Sequence, residues 1–206
     1  MAVTVDDQTL ATDRLGFTTV GQVLDHLQGL NRLVVNVTIN GETPDLDRLD
    51  DLRASGLSGN ELYIETADPR EMAVSVLDEV DQQLYDTDRT RAEAADLLQA
   101  DRTVKAMEKL AGCFSTWQHA QQSLIQTAQL MNVDLTKLDV DGRSLVSFLQ
   151  DFSAQLRTIR DALESRDFVT LGDVLTYEMT ESSNLWHAAI QSLRGAIGQA
   201  SAPLAV

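Results

Sequence analysis

The chain has 206 residues, a formal net charge of −16 and a single cysteine. A chain of this length buries roughly 70% of the surface that its unfolded form exposes, so one domain or two small ones can fold without disulfides or a structural metal. A strongly negative field repels phosphate backbones and anionic lipid and attracts basic surfaces. We therefore expect neither nucleic acid nor membrane as a partner, and we favour another protein with a basic surface.

The cysteine content and the lack of long apolar runs bear on where the protein acts. Cys113 has no second cysteine with which to form a disulfide, and this favours a reducing compartment. The first residues lack the basic region and the apolar run of a signal peptide. No segment approaches the roughly 18 apolar residues that suggest a membrane span. These observations predict a cytoplasmic protein.

The N-terminal third begins with patterns of mixed α and β structure. Apolar and polar residues alternate at residues 2–5, which predicts a first strand, and residues 14–17 suggest a second. A helix is then expected to begin at a cap formed by Thr18 or Thr19. The apolar residues of this helix recur at helical spacing and form one face: Val20, Val23, Leu24, Leu27 and Leu30.

Two further strands, joined by a crossover, are predicted next. Apolar and β-branched residues fill positions 33–39, and the dipeptide Asn40-Gly41 that follows is a strong signal for a tight turn. Regularly spaced leucines predict a short crossover, either helical or looped: Leu46, Leu49 and Leu52. A cluster of Ser, Gly and Asn at 55–60 then precedes a strand at 61–66.

This order of elements resembles the ubiquitin-like β-grasp, and especially the small sulfur-carrier proteins. The resemblance covers residues 1–68 and includes one phrase at the end of a strand, Val37-Thr38-Ile39-Asn40-Gly41-Glu42. A sulfur carrier ends in a free Gly-Gly whose carboxylate is activated, whereas here the last strand continues through Ala67 into Asp68-Pro69. The resemblance therefore implies a β-grasp-like module without sulfur-carrier activity.

From residue 68 onward the hydrophobic period becomes that of helices. Asp68 can serve as an N-cap, Pro69 stands at the first helical position, and Glu71 stands at the third. Apolar residues at helical spacing then predict four amphipathic helices, over 69–99, 101–131, 144–164 and 167–198. The dipeptide Asp141-Gly142 is the expected turn in the connection before the third helix.

The predicted fold class is therefore α+β, with two parts in sequence order. A small β-grasp-like domain is expected at residues 1–68. The four helices at residues 69–206 have short connections, which favours an antiparallel four-helix bundle. Helices of about 30 residues are about 45 Å long, so the bundle is expected to be elongated.

Five residues are candidates for binding a partner. Trp117 and Trp186 can be anchors at an interface, where tryptophan is enriched, but both fall on apolar helix faces, and packing inside the bundle is the favoured interpretation. Residues 166–178 mix inward apolar with outward acidic positions, which makes Asp173, Tyr177 and Glu178 a candidate binding face. An ordinary solvated face is the commoner explanation of such a pattern.

Sequence motifs for a cofactor, a metal or a catalytic centre are lacking. The three histidines, His26, His119 and His187, have no pairing at metal-ligand spacing. A calcium loop aligned on Gly142 would need ligands at Lys137 and Phe148, which cannot supply them. No glycine-rich phosphate loop or nucleophile elbow occurs. We therefore predict no metal, no cofactor and no catalytic residue.

The C-terminal helices also carry a resemblance. Residues 145–197 resemble helical proteins of uncharacterised bacterial families, some of which are similar to flagellar export chaperones. This implies a non-catalytic adaptor or chaperone-like protein, associated with flagella or secretion. One alternative is a structural protein that self-associates into a homo-oligomer. Another is an enzyme with a site between the module and the bundle, which uses acids such as Asp173 and Glu178 and would require a buried carboxylate pair.

Overall fold

The computed structural model describes residues 2–199, which form a small N-terminal sheet and several helices. The mixed α+β class expected from the sequence is confirmed. The described chain divides into two compact units, residues 2–72 and residues 73–199. No helix in this described part of the chain is both long and apolar enough to cross a lipid bilayer.

The first unit contains a four-stranded sheet. Its strands are β1 Ala2–Val5, β2 Gln8–Thr9, β3 Leu33–Ile39 and β4 Glu61–Ala67. Their order across the sheet is β2-β1-β4-β3, with β1 and β4 parallel and the two outer pairs antiparallel. The strands predicted at 2–5, 33–39 and 61–66 are therefore present, and β3 lies at an edge of the sheet.

Short helices complete the first unit: α1 Thr12–Leu15, α2 Val20–Gly29, a 3₁₀ turn at Leu46–Arg48 and α3 Leu49–Ala54. Thr19 caps α2 in a capping box, in which its hydroxyl accepts from the Gln22 amide and the Gln22 side chain accepts from the Thr19 amide. The buried core combines residues of α2 with residues of the sheet and of the crossover: Val3, Val20, Val23, Leu27, Leu52, Leu57, Leu62 and Ile64.

The prediction of a strand at residues 14–17 is wrong. The second strand, β2, comes earlier in the chain, at Gln8–Thr9, and α1 begins at Thr12. Asp6 and Asp7 both have positive φ, 48° and 64°, and close a tight turn that returns the chain at β2. The Asp6 carboxylate accepts from the Thr66 hydroxyl at 2.5 Å and from the Thr66 amide at 2.7 Å. These bonds stabilise the carboxylate and lower the pKa of Asp6, and they offset the strain of the turn.

The edge strand β3 has two irregular features. Its register against β4 shifts between Val34 and Asn36, which is a β-bulge at Val35. At its end, Asn40 and Gly41 have φ values of 53° and 81°, the conformation that closes a two-residue turn of type I′. The tight turn expected at this dipeptide is confirmed.

Four long helices and one short one make up most of the rest of the described chain. The long ones are α4 Pro69–Gln99, α5 Thr103–Leu130, α6 Leu145–Ser165 and α8 Met179–Gln199, and the short one is α7 Phe168–Asp173. The first three agree with the predicted helices to within two residues at each end. The fourth predicted helix is divided, because a π-helical turn at Val174–Glu178 separates α7 from α8. The connection before α6 contains a small hairpin, β5 Asp139–Val140 and β6 Arg143–Ser144, that the sequence did not predict.

An aromatic cluster lies at the centre of the second unit. The rings of Trp117, Phe148, Phe152 and Trp186 bring α5, α6 and α8 together. Trp186 meets Phe148 and Phe152 edge to face, with ring centroids 5.2 and 5.3 Å apart. Such pairs contribute about 0.5–1.5 kcal/mol each beyond the area they bury. The cluster therefore fixes how α8 is rotated about its own axis.

A glycine pair in α2 provides a test of the helix packing in the first unit. A Cβ atom at Gly21 would lie 2.9 Å from the carbonyl oxygen of Arg53, whereas a Cβ at Gly29 would meet no atom within 4 Å. We expect Gly21→Ala to destabilise the first unit by about 1–3 kcal/mol, because backbone at the contact cannot move aside cheaply. Gly29→Ala should be neutral or should stabilise it by up to about 1 kcal/mol.

The measurement is hydrogen exchange of the β3 and β4 amides, because both tryptophans belong to the second unit and their fluorescence does not report on the first. Equal exchange rates in the two alanine variants would contradict the close approach of α2 and α3.

Candidate protein-binding surface

The structure buries both tryptophans that the sequence offered as partner anchors. Trp117 is 2% exposed and Trp186 is 1% exposed, and both belong to the aromatic cluster. An anchor must reach a partner at the surface, which neither ring can do from the core. The interface interpretation of Trp117 and Trp186 is therefore corrected in favour of packing, because the apolar faces of α5 and α8 turn inward.

The remaining three candidates, Asp173, Tyr177 and Glu178, stand together on α7 and the π turn. Arg166 ends α6 in the left-handed conformation, with φ 57°. Asp167 then caps α7 by accepting from the Thr170 amide at 3.0 Å and from its hydroxyl at 2.7 Å, bonds that lower the pKa of Asp167. Local capping therefore sets the direction in which this segment leaves the bend.

The π turn decides which side chains share a side of the segment. The Met179 amide donates to the Val174 carbonyl, five residues back, so the turn holds one residue more than an α-helical turn. Val169 and Tyr177 are eight positions apart, which would separate them by about 80° on a regular α-helix. The additional residue reduces this angle to about 20°. Val169 and Tyr177 therefore lie on nearly the same side.

We call the set Val169, Asp173, Tyr177 and Glu178 the Tyr177 face. Val169 is 77% exposed and Tyr177 is 72% exposed, high values for large apolar or aromatic side chains. Asp173 and Glu178 are also exposed, and neither has an ion-pair partner among residues 2–199. The two carboxylates are not desolvated by burial, so they do not form the buried pair that the enzyme hypothesis requires. The face combines uncompensated negative charge with an exposed aromatic ring.

A row of polar contacts, which we call the α4–α8 seam, lies elsewhere in the second unit. Asp81 Oδ1 lies within hydrogen-bonding distance of His187 Nδ1, at 2.6 Å. The centroid of the His187 ring lies 4.8 Å from that of the Tyr85 ring. Arg194 forms ion pairs with Asp78 and, at 4.0 Å, with Asp81. Higher numbers on α8 meet lower numbers on α4, so the seam sets the two helices antiparallel and fixes their register.

The seam continues to the π turn through a buried arginine. Arg91 of α4 donates from Nη1 to the carbonyl oxygen of Leu175, and from Nε to Asp88 at 3.4 Å. Asp88 also accepts from the hydroxyl of Ser183 on α8. A π turn changes the backbone hydrogen-bond pattern of the helix. A side-chain donor to a buried carbonyl in the turn, such as that of Leu175, therefore stabilises the π turn. Arg91 therefore supports the turn that carries the Tyr177 face.

The histidines and the cysteine do not form a metal-binding group in the described part of the chain. Ser183 donates to Asp88 rather than to His187, so the seam does not form a hydroxyl nucleophile next to its base. Among residues 2–199, no group of three or more His, Cys, Asp or Glu side chains is placed to hold a metal ion. Cys113 is 1% exposed, and burial raises the pKa of its thiol to about 11.

Sequence reasoning missed the seam and the π turn. A signal for the seam was present, because polar residues recur at helical spacing on one stripe of each helix: Asp78, Asp81, Tyr85, Asp88 and Arg91 on α4, and Ser183, His187 and Arg194 on α8. The π turn has no comparable signal, because its residues Val174–Glu178 continue an ordinary apolar helical pattern.

Arg91 and Arg89 form a matched pair for testing support of the π turn. The Arg91 side chain is 8% exposed, whereas that of Arg89 is 75% exposed and pairs with Asp86 at 3.7 Å. We expect Arg91→Met to destabilise the second unit by about 2–4 kcal/mol, since it removes the buried hydrogen bond to the Leu175 carbonyl and the ion pair with Asp88. Arg89→Met should change stability by less than about 0.5 kcal/mol.

Denaturant unfolding followed by tryptophan fluorescence measures both variants, because Trp117 and Trp186 lie in the second unit. A loss of stability for Arg91→Met no larger than that for Arg89→Met would contradict the supporting role.

The burial of Cys113 predicts a slow reaction with thiol reagents. Because the pKa is raised, the neutral thiol dominates at pH 8 and the reactive thiolate is rare. We expect 5,5′-dithiobis(2-nitrobenzoic acid) to modify the native protein about 100-fold or more slowly than the unfolded chain. Ser115→Cys in a Cys113→Ser background is the control, since position 115 is exposed on the same helix. Equal native rates at positions 113 and 115 would show that the helix α5 is oriented differently.

Comparison with known proteins places the second unit in a family. Residues 75–189, more than half of the chain, match the family model described as Domain of unknown function (DUF8042). Neither a curated protein nor a solved structure matches the chain. The matched segment includes most of α4, all of α5, α6 and α7, the π turn and about the first half of α8. The protein therefore belongs to the DUF8042 family.

Proposed function

We propose that the protein is a non-catalytic binding protein, an adaptor or chaperone-like protein, which holds a partner with a basic surface on the Tyr177 face. The observation that carries the proposal is the exposure of Val169 and Tyr177 beside two carboxylates that have no ion-pair partner within residues 2–199. Exposed aromatic rings are enriched among the residues that dominate binding energies. Unpaired carboxylates attract a cationic surface and steer its approach.

In such an interface, a small apolar centre surrounded by charged residues gives the most favourable binding energy. Burial of the Tyr177 ring against a partner contributes most when water is excluded around it. Asp173 and Glu178 flank the ring and would pair with Lys or Arg of the partner, contacts that salt weakens. The formal net charge of −16 extends the same attraction beyond the four residues of the face. Binding should therefore be specific at Tyr177 and salt-dependent overall.

The finer description of the fold is part of the proposal. For the first unit, a β-grasp-like module is supported by the order β2-β1-β4-β3, by the parallel central pair and by a helix between the second and third strands. For the second unit, an antiparallel four-helix bundle of α4, α5, α6 and α8 is supported by two kinds of contact. Glu93 pairs with Lys109 between α4 and α5, and the α4–α8 seam joins the first helix to the last.

The cellular compartment of the protein is also part of the proposal. A cytoplasmic protein is the interpretation that agrees best with a single, buried, unpaired cysteine.

Charge reversal tests the proposed face. We expect the full chain, immobilised, to retain from its host lysate a basic protein whose retention falls as salt rises, and that protein should then bind in purified form. Asp173→Lys/Glu178→Lys should weaken binding to the purified partner by about tenfold or more, because attraction becomes repulsion. Tyr177→Ser should weaken it to a similar degree through loss of the apolar centre. Isothermal titration calorimetry gives both affinities.

The matched control is Asp96→Lys/Glu108→Lys, which changes the net charge equally at two exposed positions on α4 and α5. This control should keep the affinity within about twofold at moderate salt. Equal loss in both double variants would show that net charge, and not the Tyr177 face, determines binding. Recovery of the bait alone at every salt concentration would contradict the proposal and favour self-association, which light scattering at several concentrations measures.

A further inference from the structure

An apolar groove opens on the first unit beside the edge strand β3. Its volume is about 340 Å³, and it lies between α2, β3 and α3. The apolar side chains that line it come from all three elements: Leu24, Leu33, Val34, Val37, Leu49 and Leu52. Leu49 is 47% exposed, although it stands next to buried Leu52. The groove therefore presents apolar surface to solvent directly beside a strand.

The outer edge of β3, a strand whose side chains line the groove, presents backbone hydrogen-bonding groups. In an antiparallel strand, alternate residues direct their N–H and C=O groups to opposite sides. The Asn40 amide donates to the Glu61 carbonyl of the neighbouring strand, whereas the N–H and C=O of Ile39 are bonded to Glu42 in the turn. Ile39 therefore directs its backbone groups away from β4. Val37 is two residues before Ile39, so its N–H and C=O also point away from β4, toward the outer edge of the sheet. No strand of the described chain pairs with that edge.

The charged side chains that line the groove are basic, whereas the protein as a whole is acidic. The chain carries 32 acidic and 16 basic residues, yet among the described residues the charged side chains that line the groove are both basic, Arg32 and Arg53. Arg32 is held by Thr66, through a 2.8 Å bond from Nε, and by Asp6. Arg53 is 39% exposed and uses only Nη2 in its ion pair with the more exposed Asp25. Its remaining donors are available to a ligand at the surface, where ion pairs exchange at little cost.

We propose that this groove binds an extended peptide segment of another protein that adds a strand to the edge of β3 and bonds a carboxylate to Arg53. Backbone bonds at Val37 would give affinity, the apolar pockets would select alternate side chains, and Arg53 would select an acidic residue. A second copy of this chain fits less well, because two chains of net charge −16 repel each other. The groove shares no residue with the Tyr177 face and takes a ligand of opposite charge.

A defined peptide tests the proposal on the full chain labelled with ¹⁵N. The probe is a synthetic eight-residue peptide in which valine and threonine alternate and the last two residues are aspartate. We expect saturable shifts of the Val35 and Val37 amides with a dissociation constant below about 1 mM, and slower hydrogen exchange at Val37 in the complex. A peptide with lysine in place of both aspartates should bind at least tenfold more weakly. Shifts confined to other residues, or no binding, would overturn the proposal.

Two arginines near α3 provide matched variants. Arg53→Glu should weaken binding of the aspartate peptide at least tenfold and should remove the preference over the lysine peptide. Arg48 lies outside the groove lining and is 73% exposed, so Arg48→Glu should keep the affinity within about twofold. Equal effects of the two reversals would overturn the role of Arg53. Concentration-dependent dimers whose formation displaces the peptide would assign the edge to a second copy and would also overturn the proposal.

Tyr177→Ser separates this inference from the proposed function. Peptide affinity unchanged by Tyr177→Ser supports a separate site, and a loss of peptide binding in that variant would overturn it.

Discussion

The packing of four aromatic rings determines much of the second unit. Trp117, Phe148, Phe152 and Trp186 meet mainly edge to face and are almost completely buried. Large rings have few orientations that fill the space without voids, so the cluster fixes the rotation of α5, α6 and α8 about their axes. The indole N–H of Trp186 is buried without a hydrogen-bond partner among the described residues, a cost that this packing offsets.

The α4–α8 seam adds register to that rotation. Apolar packing tolerates sliding of one helix along another better than paired polar groups do, since each buried polar group must find its partner again. Asp81 with His187 and Asp88 with Ser183 define such fixed positions along the two helices. Arg91 extends the same row to the π turn. The orientation of Tyr177 at the surface therefore depends on contacts made in the interior of the same unit.

Most elements could be predicted from the sequence because their signals are local. The capping box at Thr19 and the start of α4 after Asp68 each combine a side-chain bond with a hydrophobic period, and the turn at Asn40-Gly41 uses two residues that adopt positive φ readily. The early turn at Asp6 could not be predicted in this way, because it depends on bonds to Thr66, which is distant in sequence. For the candidate face, Tyr177 could be named as a candidate binding residue from the sequence, but its alignment with Val169 depends on the π turn.

The bulge at Val35 also affects how the protein behaves at high concentration. A long, flat and apolar edge strand is a template on which identical chains stack into cross-β fibrils. The bulge bends β3 within its seven residues, so two identical edges cannot pair along their full length. Repulsion between chains of net charge −16 opposes stacking further. The edge can therefore remain open to a short strand while the protein resists fibril growth.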